Sequence, residues 1–214
     1  MTARILPYGP RALLAEYQSI EEVMIAAARL RRIALPAVQE IVPAARTVLV
    51  MHDGSNTSAL RALLAEERPA ELPSALQFDQ DHGIWIDGGD EIHIPVRYDG
   101  VDLGEISEIT GLSVDTVIEL HAGAVYTAAF CGFVPGFAYL VGLPPELHVP
   151  RRSSPRARVE AGSVAIAGEW ASVYPSVSPG GWLLLGHTDV AMWDETRELP
   201  ALLVPGRRVR FEPE

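Results

Sequence analysis

The sequence predicts an α+β protein in two parts, a small α/β lobe followed by a larger lobe made mainly of β-strands. Three observations carry this. Up to about residue 67, two helix-period runs with start signals alternate with short apolar strands. Between residues 68 and 90 the composition shifts to prolines, acids and the Gly88-Gly89 pair, as in a linker or an edge hairpin between lobes. From Glu91 onward, short apolar runs are divided by glycine and proline turns, the pattern of a barrel or sandwich.

The elements follow in order. Ala12 to Glu16 reads as a strand after the Tyr8-Gly9-Pro10 turn. Ser19-Ile20-Glu21-Glu22 has the form of a capping box, in which the Ser19 and Glu22 side chains satisfy each other's free amides. The helix behind it places Ile20, Val23, Met24, Ala27 and Leu30 on one face. It should stop near Leu35-Pro36, because proline disfavours helical backbone in the residue before it. Val38 to Val42 and Thr47 to Met51 read as strands, and a second helix runs from about Thr57 to Glu67 with Ser55 or Asn56 as its cap. In the second lobe, Ile92, Ile94 and Val96 alternate as in a half-buried strand. Two short helices are expected, one from Asp102 to Thr110 ended by Gly111 and one from Val114 to His121 capped by Ser113. Further strands are expected at Val125–Phe130, Ser163–Ala167, Trp182–Gly186, Val190–Trp193, Leu202–Val204 and Arg208–Phe211.

Composition narrows the function. With 48% hydrophobic residues in 214, the chain can bury a sizeable core and is not disordered. The net charge of −11 disfavours binding nucleic acid or an anionic membrane surface. No apolar run reaches the roughly 18 residues of a membrane-spanning helix, and the N-terminus lacks a signal-peptide pattern, so a soluble cytoplasmic protein is expected. Cys131 is the single cysteine, which excludes an intrachain disulfide. It adjoins a glycine-rich turn and reads either as a reactive thiol or as a buried free cysteine.

The residues that point to chemistry gather between Tyr126 and Thr188. Arg151, Arg152, Arg156 and Arg158 crowd one short stretch in a chain otherwise rich in acids. Pro150 and Pro155 keep that stretch extended or turning, so the arginines do not share a helical face. Such a loop either aims guanidinium forks at an anion or is solvated and paired with nearby acids. In Gly132-Phe133-Val134-Pro135-Gly136-Phe137, Pro135-Gly136 suits the centre of a type II turn with Gly136 at positive φ. Phe133, Phe137 and Tyr139 then either line a pocket or join the core. Ser178-Pro179-Gly180-Gly181-Trp182 allows close backbone approach and exposed amides, or simply connects a hairpin. His121 sits at helical spacing with Val114, Val117 and Ile118 and reads as a core histidine. His187 ends an apolar strand beside Thr188 and Asp189 and is the acid–base candidate. The remaining histidines show no metal spacing, and no phosphate-loop, dinucleotide or serine-hydrolase motif is present.

Taken in order, these motifs carry a family resemblance. Gly132 through Leu140, Pro150 through Val159, Ala161 through Gly168, Tyr174-Pro175 and Ser178 through Trp182 resemble the family of 5-oxoprolinase B subunits. That family is also labelled allophanate hydrolase subunit 1 and includes KipI. The likeness extends to Leu13–Val50, Pro95–His121 and Pro205–Phe211. Three positions depart from the pattern: Gly9-Pro10 where Gly-Asp is usual, His187 where arginine is usual, and Pro205-Gly206-Arg207 where Pro-Gly-Asp is usual.

The resemblance implies a small α/β lobe over residues 1–80 and a cyclophilin-like β-barrel over 81–214, similar to the carboxyltransferase region of urea carboxylase. It implies a heteromeric, ATP-dependent hydrolase that opens 5-oxoproline to glutamate. The partners would be a C-type subunit (allophanate hydrolase subunit 2 type), with or without a third, A-type subunit. ATP is an implied cofactor for which this chain carries no motif, and no metal site is visible in the sequence. On that reading Arg151, Arg152 and Arg156 hold a carboxylate or phosphate. Phe133, Tyr139 and Trp182 shape the pocket, Gly136, Gly180 and Gly181 supply backbone amides, and His187 acts as acid or base. The alternative from the same family is a KipI-like inhibitor of a sensor histidine kinase, working through a protein-contact surface.

Overall fold

The computed structural model of this chain describes residues 3–65, 77–79, 84–86 and 91–214. It divides into two compact units, Met1–Gly89 and Asp90–Glu214. In the first, β1 (Arg4–Pro7), β2 (Ala12–Glu16), β3 (Val38–Pro43) and β4 (Thr47–His52) form an antiparallel sheet of order β1-β2-β4-β3. Helices α1 (Ile20–Ile33) and α2 (Thr57–Ala65) complete it. Strand β1 was not among the expected elements; Ile5 and Leu6 pair across the Gly9 turn with Ala15 and Leu14. Val48, Val50 and His52 are buried at alternate positions of β4, and Val23, Ala27 and Leu30 of α1 are buried at helical spacing. Each fully buried Val or Leu contributes about 1.5–3 kcal/mol to stability.

The ends of α1 show how local sequence sets its limits. Ser19 Oγ accepts the Glu22 N–H at 3.4 Å. The Glu22 carboxylate reaches one residue further back than a reciprocal box requires and accepts the Gln18 N–H at 3.0 Å. Ala34 turns left-handed, with φ +47, and closes the helix two residues before Pro36. The linker expected over 68–90 lies largely outside the described residues. Within it, β5 (Gln77–Asp79) and β6 (Ile84–Ile86) pair as an antiparallel hairpin.

The second unit is a barrel-like sheet of seven strands. It contains β7 (Ile92–Val96), β8 (Tyr126–Cys131), β9 (Ala138–Val141), β11 (Ser163–Ala167), β12 (Trp170–Val173), β14 (Leu183–His187) and β15 (Arg208–Pro213), in the order β14-β11-β12-β9-β8-β15-β7. The outermost strands, β14 and β7, are drawn together just beyond β7: Arg97 N–H and His187 N–H each donate to the other's carbonyl at 2.9 Å. Gly186 allows this seam, since a Cβ there would collide with the Arg97 carbonyl. Ile94, Val96, Tyr126, Leu140, Ile166, Leu183 and Phe211 belong to the enclosed core. Helices α3 (Leu103–Thr110) and α4 (Val114–Gly123) appear where expected, and Gly111 and Ser113 cap them as expected. A separate two-stranded ribbon pairs β10 (Arg156–Val159) with β13 (Ser178–Gly180). Among the described residues no helix is long and apolar enough to cross a membrane.

Two expected strands are absent. Val190–Trp193 and Leu202–Val204 are irregular, joined by the Trp193–Ala201 bridge and by the Leu202 N–H to Met192 O bond at 2.9 Å. Asp194 turns the chain between them by accepting the Thr196 N–H and hydroxyl. Met192 and Leu203 still reach the core, so the apolar signal was burial rather than extended backbone. Conversely β9, β10, β12 and β13, of three or four residues each, were not expected as strands.

His121 is fully buried, stacked on Phe211 at 4.7 Å between ring centroids. Its Nδ1 shares a 2.7 Å hydrogen bond with the Tyr98 hydroxyl, and Nε2 has no protein partner among the described residues. Burial lowers its pKa to about 3. Below pH 6.5 the unfolded chain therefore takes up a proton that the folded chain refuses, so stability falls with acidification until about pH 3. Between pH 6.5 and 5 the loss should be about 2 kcal/mol. Urea midpoints across that window will test it: His121→Gln should flatten the dependence, and an unchanged slope would show that another group governs it.

Candidate functional site

The two faces of β11 separate core from site. Val164 and Ile166 face the barrel interior, whereas Ala165 and Ala167 face a second apolar cluster on the sheet's outer side. That cluster contains Phe137, Val159, Tyr174 and Trp182, with Tyr139 and Trp170 packed against it. Its rings meet mostly edge to face: Phe137 stands 5.1–5.5 Å from Tyr139, Tyr174 and Trp182, while Phe130 stacks on Tyr139 at 4.3 Å. Beside it opens a cavity of about 290 Å³ lined by Tyr139, Pro150, Arg151, Ala167, Gly168, Trp170 and Trp182.

The arginines divide into two kinds. Arg156 Nη2 donates to Asp102 Oδ1 at 2.5 Å, and Arg152 Nη1 lies 3.4 Å from the same oxygen and 2.9 Å from Glu105. Arg158 pairs with its neighbour Glu160 at 2.6 Å. The Arg151 side chain has no ion pair or hydrogen bond among the described residues, and it lines the cavity. Asp102 is buried at the start of α3, yet its carboxylate does not cap that helix. Its second oxygen accepts the Leu184 N–H at 2.7 Å. The arginine loop is thus pinned to barrel strand β14 through one carboxylate, and Arg152 N–H adds a 2.8 Å bond to Gly181 O.

The other expected site residues fall in three places. Tyr139 and Trp182 line the cavity with Arg151. Gly180 pairs with Arg156 in the β10–β13 ribbon, next to Gly181. Gly136 takes φ +83 in the expected turn, closed by Phe137 N–H to Val134 O at 3.1 Å. Phe133, just before it, is 59% exposed and lies outside the cavity lining. It has φ +70 inside a three-residue turn closed by Val134 N–H to Gly132 O at 2.9 Å, a rare and strained conformation. Cys131 is exposed, its thiol 3.4 Å from the Leu203 carbonyl.

His187 stands apart. It pairs with Ser163 at one end of β11, whereas Ala167 at the other end lines the cavity, roughly 13 Å away along the strand. Its Nε2 lies 3.4 Å from Asp189, whose carboxyl is held below its usual range by the hydrogen bond from Arg97. Among the described residues, no three His, Cys, Asp or Glu side chains gather as a metal site.

Sequence reasoning missed Trp170, Tyr174 and Asp102. Trp170 was detectable: it follows the Gly168-Glu169 turn and alternates with Ala171, which faces the core. The Tyr174 hydroxyl is pushed up in pKa by burial, offset in part by the Trp182 amide and the charges of Arg151 and Arg156. Tyr174 therefore stays neutral behind the cavity wall.

Comparison with known proteins fits this architecture. The family described as carboxyltransferase domain, subdomain C and D, matches residues 3–203, and the chain belongs to it. The B subunit of 5-oxoprolinase from Escherichia coli O157:H7 is 39% identical over 216 residues, covering 100% of this chain and 93% of that protein. The crystal structure of TTHA0988 superposes with a TM-score of 0.74 at 36% identity, over 95% of this chain and 40% of that one. The Kluyveromyces lactis urea carboxylase matches with a TM-score of 0.68 over 99% of this chain and 22% of that one; at 18% identity it shares the fold.

The pinning of the loop has a measurable consequence. Asp102→Ala leaves the Arg156 guanidinium and the Leu184 amide without their acceptor and Arg152 with Glu105 alone, and should lower unfolding stability by about 3 kcal/mol. Glu105→Ala removes only an exposed partner and should change it by less than about 1 kcal/mol. Denaturant titration of both variants will show whether Asp102 holds this face; equal effects would refute that.

Proposed function

We propose that this chain is the B-type component of a heteromeric 5-oxoprolinase, a hydrolase that opens 5-oxoproline to glutamate with ATP. The observation that carries the reading is the 39% identity to the B subunit of a 5-oxoprolinase across the whole chain. The site supports it in kind: an aromatic-walled cavity with one arginine that has no ion pair among the described residues suits a small acid with an uncharged body. A lactam is a poor electrophile, and charge that develops on its oxygen during ring opening needs fixed donors and cations around it. One small cavity does not supply all of these, so the remainder of the site comes from partner proteins of the C and A types.

We assign ATP to the partners rather than to the cavity of this chain. A triphosphate calls for several free cations or a glycine-rich phosphate loop. Arg152 and Arg156 already face Asp102, and the sequence has no such loop. The nucleotide is accordingly assigned to the partners, while this chain binds, orients and shields substrate.

Co-expression with the products of neighbouring genes for the C-type and A-type partners, followed by an ATP-dependent 5-oxoproline assay, tests the reading. The three proteins should co-purify, and glutamate release should vanish when this chain is omitted. Full turnover without it, or failure of the proteins to associate, would refute the assignment.

A further inference from the structure

We infer that the outer-face cavity is a carboxylate site for a small lactam acid, read by Arg151, and that Arg152 and Arg156 hold the Arg151 loop in place without touching ligand. This rests on the 5-oxoprolinase reading above and goes beyond it by assigning the ligand group and the residue that reads it.

Charge pairing carries the first step. Four arginines lie between 151 and 158, and three have carboxylate partners within 3.4 Å. Arg151 is the only one without a partner among the described residues, and the only one of the four that lines the cavity. A guanidinium fork there binds one planar carboxylate through two parallel bonds. Among the described residues, no acidic side chain lines the cavity to neutralise it first.

The walls carry the second step. Tyr139, Trp170, Trp182 and Pro150 present rings, and Ala167 and Gly168 leave room between them. At about 290 Å³ the space lies near the lower limit of small-molecule sites, which run from roughly 300 to 1,000 Å³. A five-membered ring with one carboxylate matches those dimensions and that polarity; a nucleotide triphosphate matches neither.

The third step is rigidity. The Arg152 main chain is bonded to Gly181 O beside Trp182, and its side chain joins Arg156 on Asp102. Arg151 is therefore fixed at its backbone between Pro150 and a pinned neighbour, so little ordering is left to ligand binding.

Titration of the isolated chain, followed by calorimetry and tryptophan fluorescence, tests the assignment with three probes: 5-oxoproline, 2-pyrrolidinone (the same lactam without the carboxylate) and ATP. 5-Oxoproline should bind, 2-pyrrolidinone should bind at least about 10-fold more weakly, and ATP should neither bind nor compete. Arg151→Ala should weaken 5-oxoproline binding about 10- to 100-fold with an unchanged circular dichroism spectrum. Arg151→Lys should recover part of it, and Arg158→Ala should bind as the parent does. Equal affinity in Arg151→Ala, displacement by ATP, or no binding to the folded chain at millimolar 5-oxoproline would overturn the proposal. Turnover by the reconstituted complex alongside such a failure would leave the 5-oxoprolinase reading standing. Binding to this chain without turnover by the complex would support the cavity assignment and remove the 5-oxoprolinase reading.

Discussion

The buried carboxylate of Asp102 is the constraint on which the working face of the second unit depends. It stands where the chain leaves the barrel seam and enters α3, and it joins elements far apart in sequence. One oxygen holds the Leu184 amide of β14, and the other faces Arg152 and Arg156. A charge this deep is tolerated because every acceptor direction in use meets a donor, two of them cationic. Arg152 and Arg156 are engaged at this carboxylate, with Glu105 as a second partner of Arg152, whereas Arg151 is the one arginine of the loop that lines the cavity.

The second principle is the use of both faces of one sheet. In an ordinary barrel the outward side chains meet water. Here the outer side of β9, β11, β12 and β14 carries Tyr139, Ala165, Ala167, Trp170 and Leu184, and the aromatic cluster covers it. The small alanines matter as much as the rings, because they let Phe137, Tyr174 and Trp182 lie close to the sheet. The barrel interior holds the larger apolar core, in which Tyr126 and Phe211 join the aliphatic side chains, and the cavity lined by Arg151 lies on the other face of the sheet.

What the sequence revealed depended on how local the cause was. Helix α1 was legible because its cap, apolar stripe and stop all lie in one short stretch, from Ser19 to Pro36. The same holds for α3 and α4, bounded by Gly111 and Ser113. Strands β9 and β12 were not legible, since four-residue strands offer too few alternations to show a period. Val190–Trp193 was misread because its apolar residues serve an irregular core segment. At the site, Tyr139, Arg151 and Trp182 were legible as chemistry, and the structure places all three around one cavity. Their division of labour with Arg152 and Arg156 was not. It is decided by Asp102, whose partners lie 50, 54 and 82 residues away.

The seam of the barrel has a different significance. Its two closing bonds run between main-chain atoms of Arg97 and His187, so closure makes no demand on the side chain at 187. The His187 side chain takes no part in those two bonds and stays half-exposed beside Asp189. The fold thereby decouples its own integrity from the chemistry at its edge. Sequence drift at the seam can retune the surface charge of the protein without reopening the barrel.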